Sequence, residues 1–255
     1  MEAIIFVVFA FASLIVAFIL DGGNVVALWG PTAFIIVIGG TIGATGFSIR
    51  GANLKNTLKL MMIAFMGRKN QAKKNADYIK EIAQKARKDG ILTLEAETSN
   101  LAIDQFIRDG LSLVIDGRDS SEVQDIMELQ IEQISARHKA NIAIFEAAGG
   151  YAPTMGIIGT VMGLVHVLGH LDDAEDLGPK IAVAFLATLY GISTANLIYL
   201  PIASKLKAIN ASEINEKHMI IEGLIAIANG NTPIMISTKL TAFMEDKKDR
   251  QEKKE

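Results

Sequence analysis

Residues 151–180, YAPTMGIIGTVMGLVHVLGHLDDAEDLGPK, run directly into residues 181–204, IAVAFLATLYGISTANLIYLPIAS. Their reading decides the fold. From Ala147 to His170 there is no Asp, Glu, Lys or Arg, and from Ile181 to Ser204 again none. Each run is longer than the roughly 20 apolar residues that cross a bilayer core as a helix. Neither run is plain. Pro153 and Pro201 interrupt the helical hydrogen-bond ladder, and Gly156, Gly159, Gly163 and Gly191 leave flat faces. Thr154, Thr160, Thr188, Ser193, Thr194 and Asn196 add polar groups that an anchoring helix does not need. Small and hydroxyl residues are what helices use to pack closely in lipid or to line a polar path.

Working outward, half of the 255 residues are hydrophobic while 21% are charged, so the charge must be segregated. Residues 1–49 hold no Lys or Arg, and every basic residue but Lys180 lies in 50–140 or 205–255. The segment Ala3–Leu20, AIIFVVFAFASLIVAFIL, reads as a first span. Glu2 stands where a cleaved signal peptide would carry basic residues, which favours retention. A second span starts near Val25 and stays uncharged to Ile49, with Pro31 acceptable in a first turn and Gly39 and Gly43 spaced for helix contact. Loops 21–30 and 171–180 are poor in basic residues, whereas 50–88 and the tail are rich in them. The positive-inside rule therefore places both termini and the 50–145 region in the cytoplasm. The expected fold is all-α: a polytopic membrane protein with four transmembrane helices and a helical cytoplasmic domain. Its expected parts are spans one and two in 1–49, the cytoplasmic domain in 50–145, spans three and four in 146–204, and a helical tail in 205–255.

The 50–145 region reads as soluble helices. ANLKNTLKLMMIAFMGRK is amphipathic, and KNQAKKNADYIKEIAQKARKD ends at a C-terminal stop, Gly90. Thr93 is expected to cap the next helix, which runs through Leu101, Ile103, Phe106, Ile107 and Leu111. DGRD at 116–119 is a turn, and Ser121 with Gln124 forms a capping box. The helix from Ser121 is expected to continue into the third span. The tail is helical to Gly230, is broken by Thr232-Pro233, and ends in a charged segment that reads as disordered.

No basic stripe carries interleaved aromatics, which excludes a nucleic-acid footprint. With no Cys there are no disulfides or thiolate metal sites. His166 and His170 have an i, i+4 metal-ligand spacing, but Val167 stands where HExxH needs its Glu. They read as interfacial histidines. Ser193 and Thr194 have no activating His or Lys nearby. The decisive observation is that the hydrophobic part of no span contains an ionisable Asp, Glu, Lys or Arg. An ion pathway through lipid needs such a group at depth. Either the chain conducts nothing or another chain brings the group. Arg87 and Glu95 fall in the last turn of one helix and the first turn of the next, where helix dipoles alone would place such charges.

GGYAPTMGIIGTVMGLVHVLGHL, LATLYGISTANLIYLPIASKL, EGLIAIANGNTPIMISTKL and ARKDGILTLEAE together resemble the MotA family of flagellar motor stator subunits, called PomA in sodium-driven motors. The likeness extends over essentially the whole chain. The related ExbB and TolQ share the last two spans but have three in all, so an outer-membrane energiser is the alternative. The resemblance implies a homopentameric ring around MotB-like single-span helices, each bringing an Asp to the level of the prolines. Pro153, Thr160, Thr188 and Pro201 then face the ion path and the partner helix. Arg87 and Glu95 would meet charged residues of the rotor switch complex. The implied function is torque generation from ion flow in a bacterial inner membrane, with no covalent chemistry, metal or cofactor. The transported ion is read as H+, with Na+ as the alternative, because sodium-driven members carry both hydroxyls.

Overall fold

In a computed structural model of the chain, residues 2–49, 56–68, 71–169 and 174–244 are described, and all the regular structure among them is helical. The order is α1 (Glu2–Leu20), a 3-10 turn (Val25–Leu28), α2 (Pro31–Phe34), a π turn (Ile35–Gly39), α3 (Gly40–Ser48) and α4 (Thr57–Met66). Then come α5 (Ala72–Asp89), a second 3-10 turn (Ile91–Leu94), α6 (Glu95–Thr98), α7 (Gln105–Ile115) and α8 (Ser120–Leu168). The chain finishes with α9 (Ala174–Thr194), a second π turn (Ala195–Tyr199), α10 (Leu200–Ala228) and α11 (Pro233–Ala242). Four stretches are long and apolar enough to cross a membrane: Ala3–Leu20, Val25–Ser48, Ser120–Leu168 and Leu177–Ala228. As the sequence implies, the third span and the polar helix before it are one continuous element of 49 residues.

Two compact units form. The first comprises Met1–Arg68 and His138–Ala208, the second Lys69–Arg137 and Ile209–Glu255.

In the first unit, α1 buries none of its apolar residues between Ala3 and Leu20. Pro31 is the first residue of α2, where its missing N–H costs nothing. Ala33 and Val37 on the second span pack against Leu186 and Ala187 of α9. Amphipathic α4 buries Ala64 beside Ile142 and Phe145 of α8 and Ile202, Ala203 and Leu206 of α10. Within the chain, neither Gly39 nor Gly43 meets another helix: a Cβ at either would find nothing within 4 Å among the described residues. The close approach falls one residue along, at Gly40, whose added Cβ would lie 2.7 Å from the Met155 sulfur. Periodicity in a span that is apolar all round does not say which face turns inward.

The second unit is a water-type core in which Ile79, Ile82, Ile107, Leu111, Met127, Leu224 and Leu240 are fully buried. Three local readings change here. Thr93 caps nothing; its hydroxyl donates to the Gly90 carbonyl within the 3-10 turn. The single helix expected from there to Leu111 is broken, because Asn100 accepts from the Ala102 N–H and Asp104 from the Phe106 N–H, making Asp104 the cap of α7. Likewise Asp119, not Ser121, closes the start of α8. Its carboxylate accepts from the Ser121 hydroxyl at 2.7 Å and from the Ser120 N–H at 2.9 Å, the first above all holding its pKa below the usual range. Thr232-Pro233, read as a break, is also a start: the Thr232 hydroxyl accepts from the Met235 N–H and Pro233 opens α11. The charged end beyond Met244 lies outside the described residues.

Candidate ion path and partner interface

The third and fourth spans meet along a seam of small residues. Ala152, Gly156 and Gly159 on α8 face Ala187, Thr188 and Gly191 on α9, and the approach is set by backbone. A Cβ on Gly156 would lie 2.8 Å from the Ala187 carbonyl oxygen, and one on Gly191 would lie 2.5 Å from that of Ala152. Neither oxygen can swing away as a side chain would. Towards the far end of α8, Gly163 is as close to Ala184. Lipid tails are as apolar as leucine, so helices in a bilayer gain by contact density rather than by burial. That is what this spacing of small residues supplies.

Thr160 and Thr188 are brought together within the seam. Their hydroxyl oxygens are 2.5 Å apart. Thr160 Oγ1 is also 3.0 Å from the Ala184 carbonyl and 3.1 Å from that of Gly156, and Thr188 Oγ1 is 3.5 Å from Gly156. Each hydroxyl has one proton to give. If Thr188 donates to Thr160, and Thr160 donates to one carbonyl, both protons are used and the pair is complete without any cation. Four oxygens nonetheless converge there, a donor set that suits a hard cation or a relayed proton.

The prolines lie elsewhere. Pro153 is half-buried within α8, seven residues before Thr160 and so about 10 Å along the axis. Its ring displaces the hydrogen bond to the carbonyl of Gly149, and Gly149 itself lies against Leu200: an added Cβ would come 2.5 Å from the Leu200 side chain. Pro201 is exposed and follows the π turn Ala195–Tyr199. Since proline lacks an N–H and crowds the carbonyl four residues back, a widened turn just before it is the physical response. The Leu200 N–H reaches back five residues to the Ala195 carbonyl. Pro201 lines a groove with Ala3, Phe6, Val7 and Ala10 of α1, separate from the threonine pair.

Sequence reasoning missed Tyr190. Its hydroxyl accepts from the Gly30 N–H at 3.0 Å and donates to the Leu28 carbonyl, tying the fourth span to the entry of the second. A phenol in an otherwise apolar span was the available signal. Glu146 is ion-paired to Lys207 and therefore belongs to the surface. His166 is exposed, and His170 lies outside the described residues, where no metal pair can be placed; among the described residues no cluster of His, Asp and Glu suits a metal.

In the second unit, Arg87 lies in the last turn of α5, which Gly90 ends with φ +91°, the left-handed region that glycine occupies without strain. Glu95 opens α6. Both side chains are exposed, and among the described residues neither has an ion pair or hydrogen bond. Glu97, two residues on, is already engaged. It accepts from Lys85 Nζ at 3.0 Å and the Tyr78 hydroxyl at 3.1 Å. The Lys85 bond holds the Glu97 carboxyl below its usual range, while burial and the Glu97 charge push the Tyr78 phenol up.

A small-residue seam, two in-span prolines and a hydroxyl pair with no carboxylate define a channel-forming subunit class. Comparison with known proteins agrees: residues 98–219 match the MotA/TolQ/ExbB proton channel family and residues 4–90 the Motility protein A N-terminal family. The chain belongs to the motility protein A family. It is 36% identical to Motility protein A of Bacillus subtilis over 95% of this chain and 90% of that one. It is 34% identical to Chemotaxis protein PomA of Vibrio alginolyticus, over 93% and 92%. The solved flagellar MotAB stator complex from Bacillus subtilis superimposes with a TM-score of 0.91 at 36% identity, covering 99% of this chain and 98% of that chain. The match over the first two spans agrees with the MotA reading over the three-span energisers.

Proposed function

We propose that this chain is a flagellar stator subunit that forms an ion channel with a MotB-like single-span partner and turns ion flow into torque. The observation that carries this is the hydroxyl pair Thr160–Thr188, set in a seam between two spans whose hydrophobic parts hold no Asp or Glu. The partner supplies the missing Asp. Five copies ring the partner helices in the bacterial inner membrane, with both termini and the 50–145 region in the cytoplasm. Moving one charge through 100 mV supplies about 2.3 kcal/mol. That is enough to bias a ring of near-equivalent docking states, so that each neutralisation of the Asp advances the ring by one face. Arg87 and Glu95, exposed and unpaired, suit contact with charges of the rotor switch complex. The chain makes and breaks no covalent bond in this scheme.

The transported ion is proposed to be H+, since Thr188 donating to Thr160 and Thr160 donating to a carbonyl leave the pair satisfied without a cation. Sodium is the second reading, favoured by the four converging oxygens. Identity to a Motility protein A and to a PomA differs by too little to choose. Swimming speed measured against external sodium at fixed pH, with and without a protonophore, separates the two. Collapse under protonophore at all sodium levels is expected; persistence that tracks sodium overturns the proton assignment. Loss of the stator reading itself would follow if the purified chain alone, without its partner, carried a selective gated current.

A further inference from the structure

Beside the second π turn, α1 meets the fourth span without filling the space between them. A groove of about 350 Å³ remains, lined by Val7 and Ala10 of α1, by Phe65 of α4, and by Asn196, Pro201 and Lys205 of the fourth span and its continuation. Three features say what fits it. Its walls are almost wholly apolar. Lys205 is the first charged residue after the uncharged run Ile181–Ser204, so the groove passes from hydrocarbon to headgroup level at this residue. Lys205 is also exposed and has no ion pair among the described residues. An apolar trough ending in a free ammonium at the membrane boundary complements a lipid acyl chain with an anionic headgroup.

We propose that this groove is a binding site for one anionic phospholipid of the leaflet nearest Lys205, its phosphate on the Lys205 ammonium and an acyl chain along α1. Asn196 stands deeper in the same groove, at the level of the acyl chain, where its amide nitrogen donates to the Ile192 carbonyl at 2.9 Å and so is satisfied without the lipid. Because Pro201 forms part of the wall, an acyl chain there braces the π turn. The site therefore gives the lipid a direct hold on the backbone irregularity in the fourth span. The proposal needs only that the chain spans a membrane and stands apart from the ion and the rotor contact.

The test uses the full chain with its membrane partner, purified from vesicles of equal phosphatidylglycerol and phosphatidylethanolamine and washed in mild detergent, with retained lipid measured by native mass spectrometry. The wild type should retain phosphatidylglycerol preferentially. Lys205→Glu should reduce that preference about fivefold, the effect of one basic residue at a membrane surface. Ala10→Trp, which fills the groove, should displace the retained lipid while leaving the assembly mass unchanged. Equal retention of both lipids by the wild type, or no change in Lys205→Glu, overturns the proposal. A photoreactive residue placed at Val7 should form a lipid adduct; a crosslink to a second copy in its place means that a neighbouring chain fills the groove and also overturns it.

Discussion

The two units hold themselves together by opposite means. Of the twelve largest fully buried side chains among the described residues, eleven belong to the second unit, and only Val37 belongs to the first. The second unit closes isoleucines, leucines and methionines around a core, since in water each buried large side chain contributes about 1.5–3 kcal/mol. Such burial contributes little between helices in lipid. There the first unit uses Gly156, Gly163, Ala184, Ala187 and Gly191, which bring backbones together, and shared hydroxyls such as Thr160–Thr188. One chain thus obeys two packing rules, and the solvent of each part selects the rule.

The contrast can be broken most severely at Gly191. Gly191→Ala forces a methyl against the Ala152 carbonyl, so the seam must open; motility should be abolished in a soft-agar assay although the protein still reaches the membrane. Wild-type swarming by that variant would mean the seam is not backbone-limited. Leu224→Ala, the mirror experiment in the second unit, should cost about 3 kcal/mol, read as a lowered unfolding transition of that unit. A cost near zero would show that the aliphatic core is not what holds it. Thr160→Ala should weaken the seam by about 1 kcal/mol and slow swimming, with Thr160→Ser restoring both. If Ser and Ala behave alike, the hydroxyl does not contribute.

The smallest effect concerns Glu97, whose side chain is 21% exposed and whose partner Lys85 is 40% exposed. Its native pKa is held below the usual carboxylate range, first by the Lys85 hydrogen bond. A depressed carboxyl contributes stability that is complete above its unfolded pKa and is lost as pH falls through the native value. With solvent screening the contribution is about 0.5 kcal/mol. Glu97→Gln should therefore leave the melting temperature at pH 7 almost unchanged and flatten its decline below about pH 4.5. A steeper acid decline in the variant would reverse the sign.

Much of this was readable from residues alone, and the reason differs by region. The four spans are visible because hydropathy needs no phase, and the seam because glycine and alanine recur at helical spacing in 152–163 and 184–191. The continuity of α8 follows from the lack of any stop signal between Ser120 and Ala148, and Pro153 removes one ladder hydrogen bond without ending the helix. What escaped was phase and local competition. Gly39 and Gly43 have the spacing of a contact pair, yet the contact within the chain falls at Gly40, since an apolar helix does not advertise its inner face. Ser121 looked like a cap, but Asp119 is closer to the free N–H groups and also binds the Ser121 hydroxyl. Asn100 and Asp104 broke a helix because their short side chains satisfied backbone donors locally. At the site, the threonine pair was legible as two hydroxyl positions. That Pro201 lines a groove beside α1 required knowing where the π turn falls.

That turn has a geometric corollary. A regular helix advances about 100° per residue, so the one surplus residue within Ala195–Tyr199 sets Leu200 and all that follows about 100° out of phase with the fourth span before it. Relaxing the turn to ordinary α-helix would swing Lys205 and its neighbours around the axis by that angle. Deleting a single residue there would instead remove the turn and leave the downstream faces where they now stand. The backbone of the fourth span thus contains a quarter-turn that the side chains downstream have been placed to use.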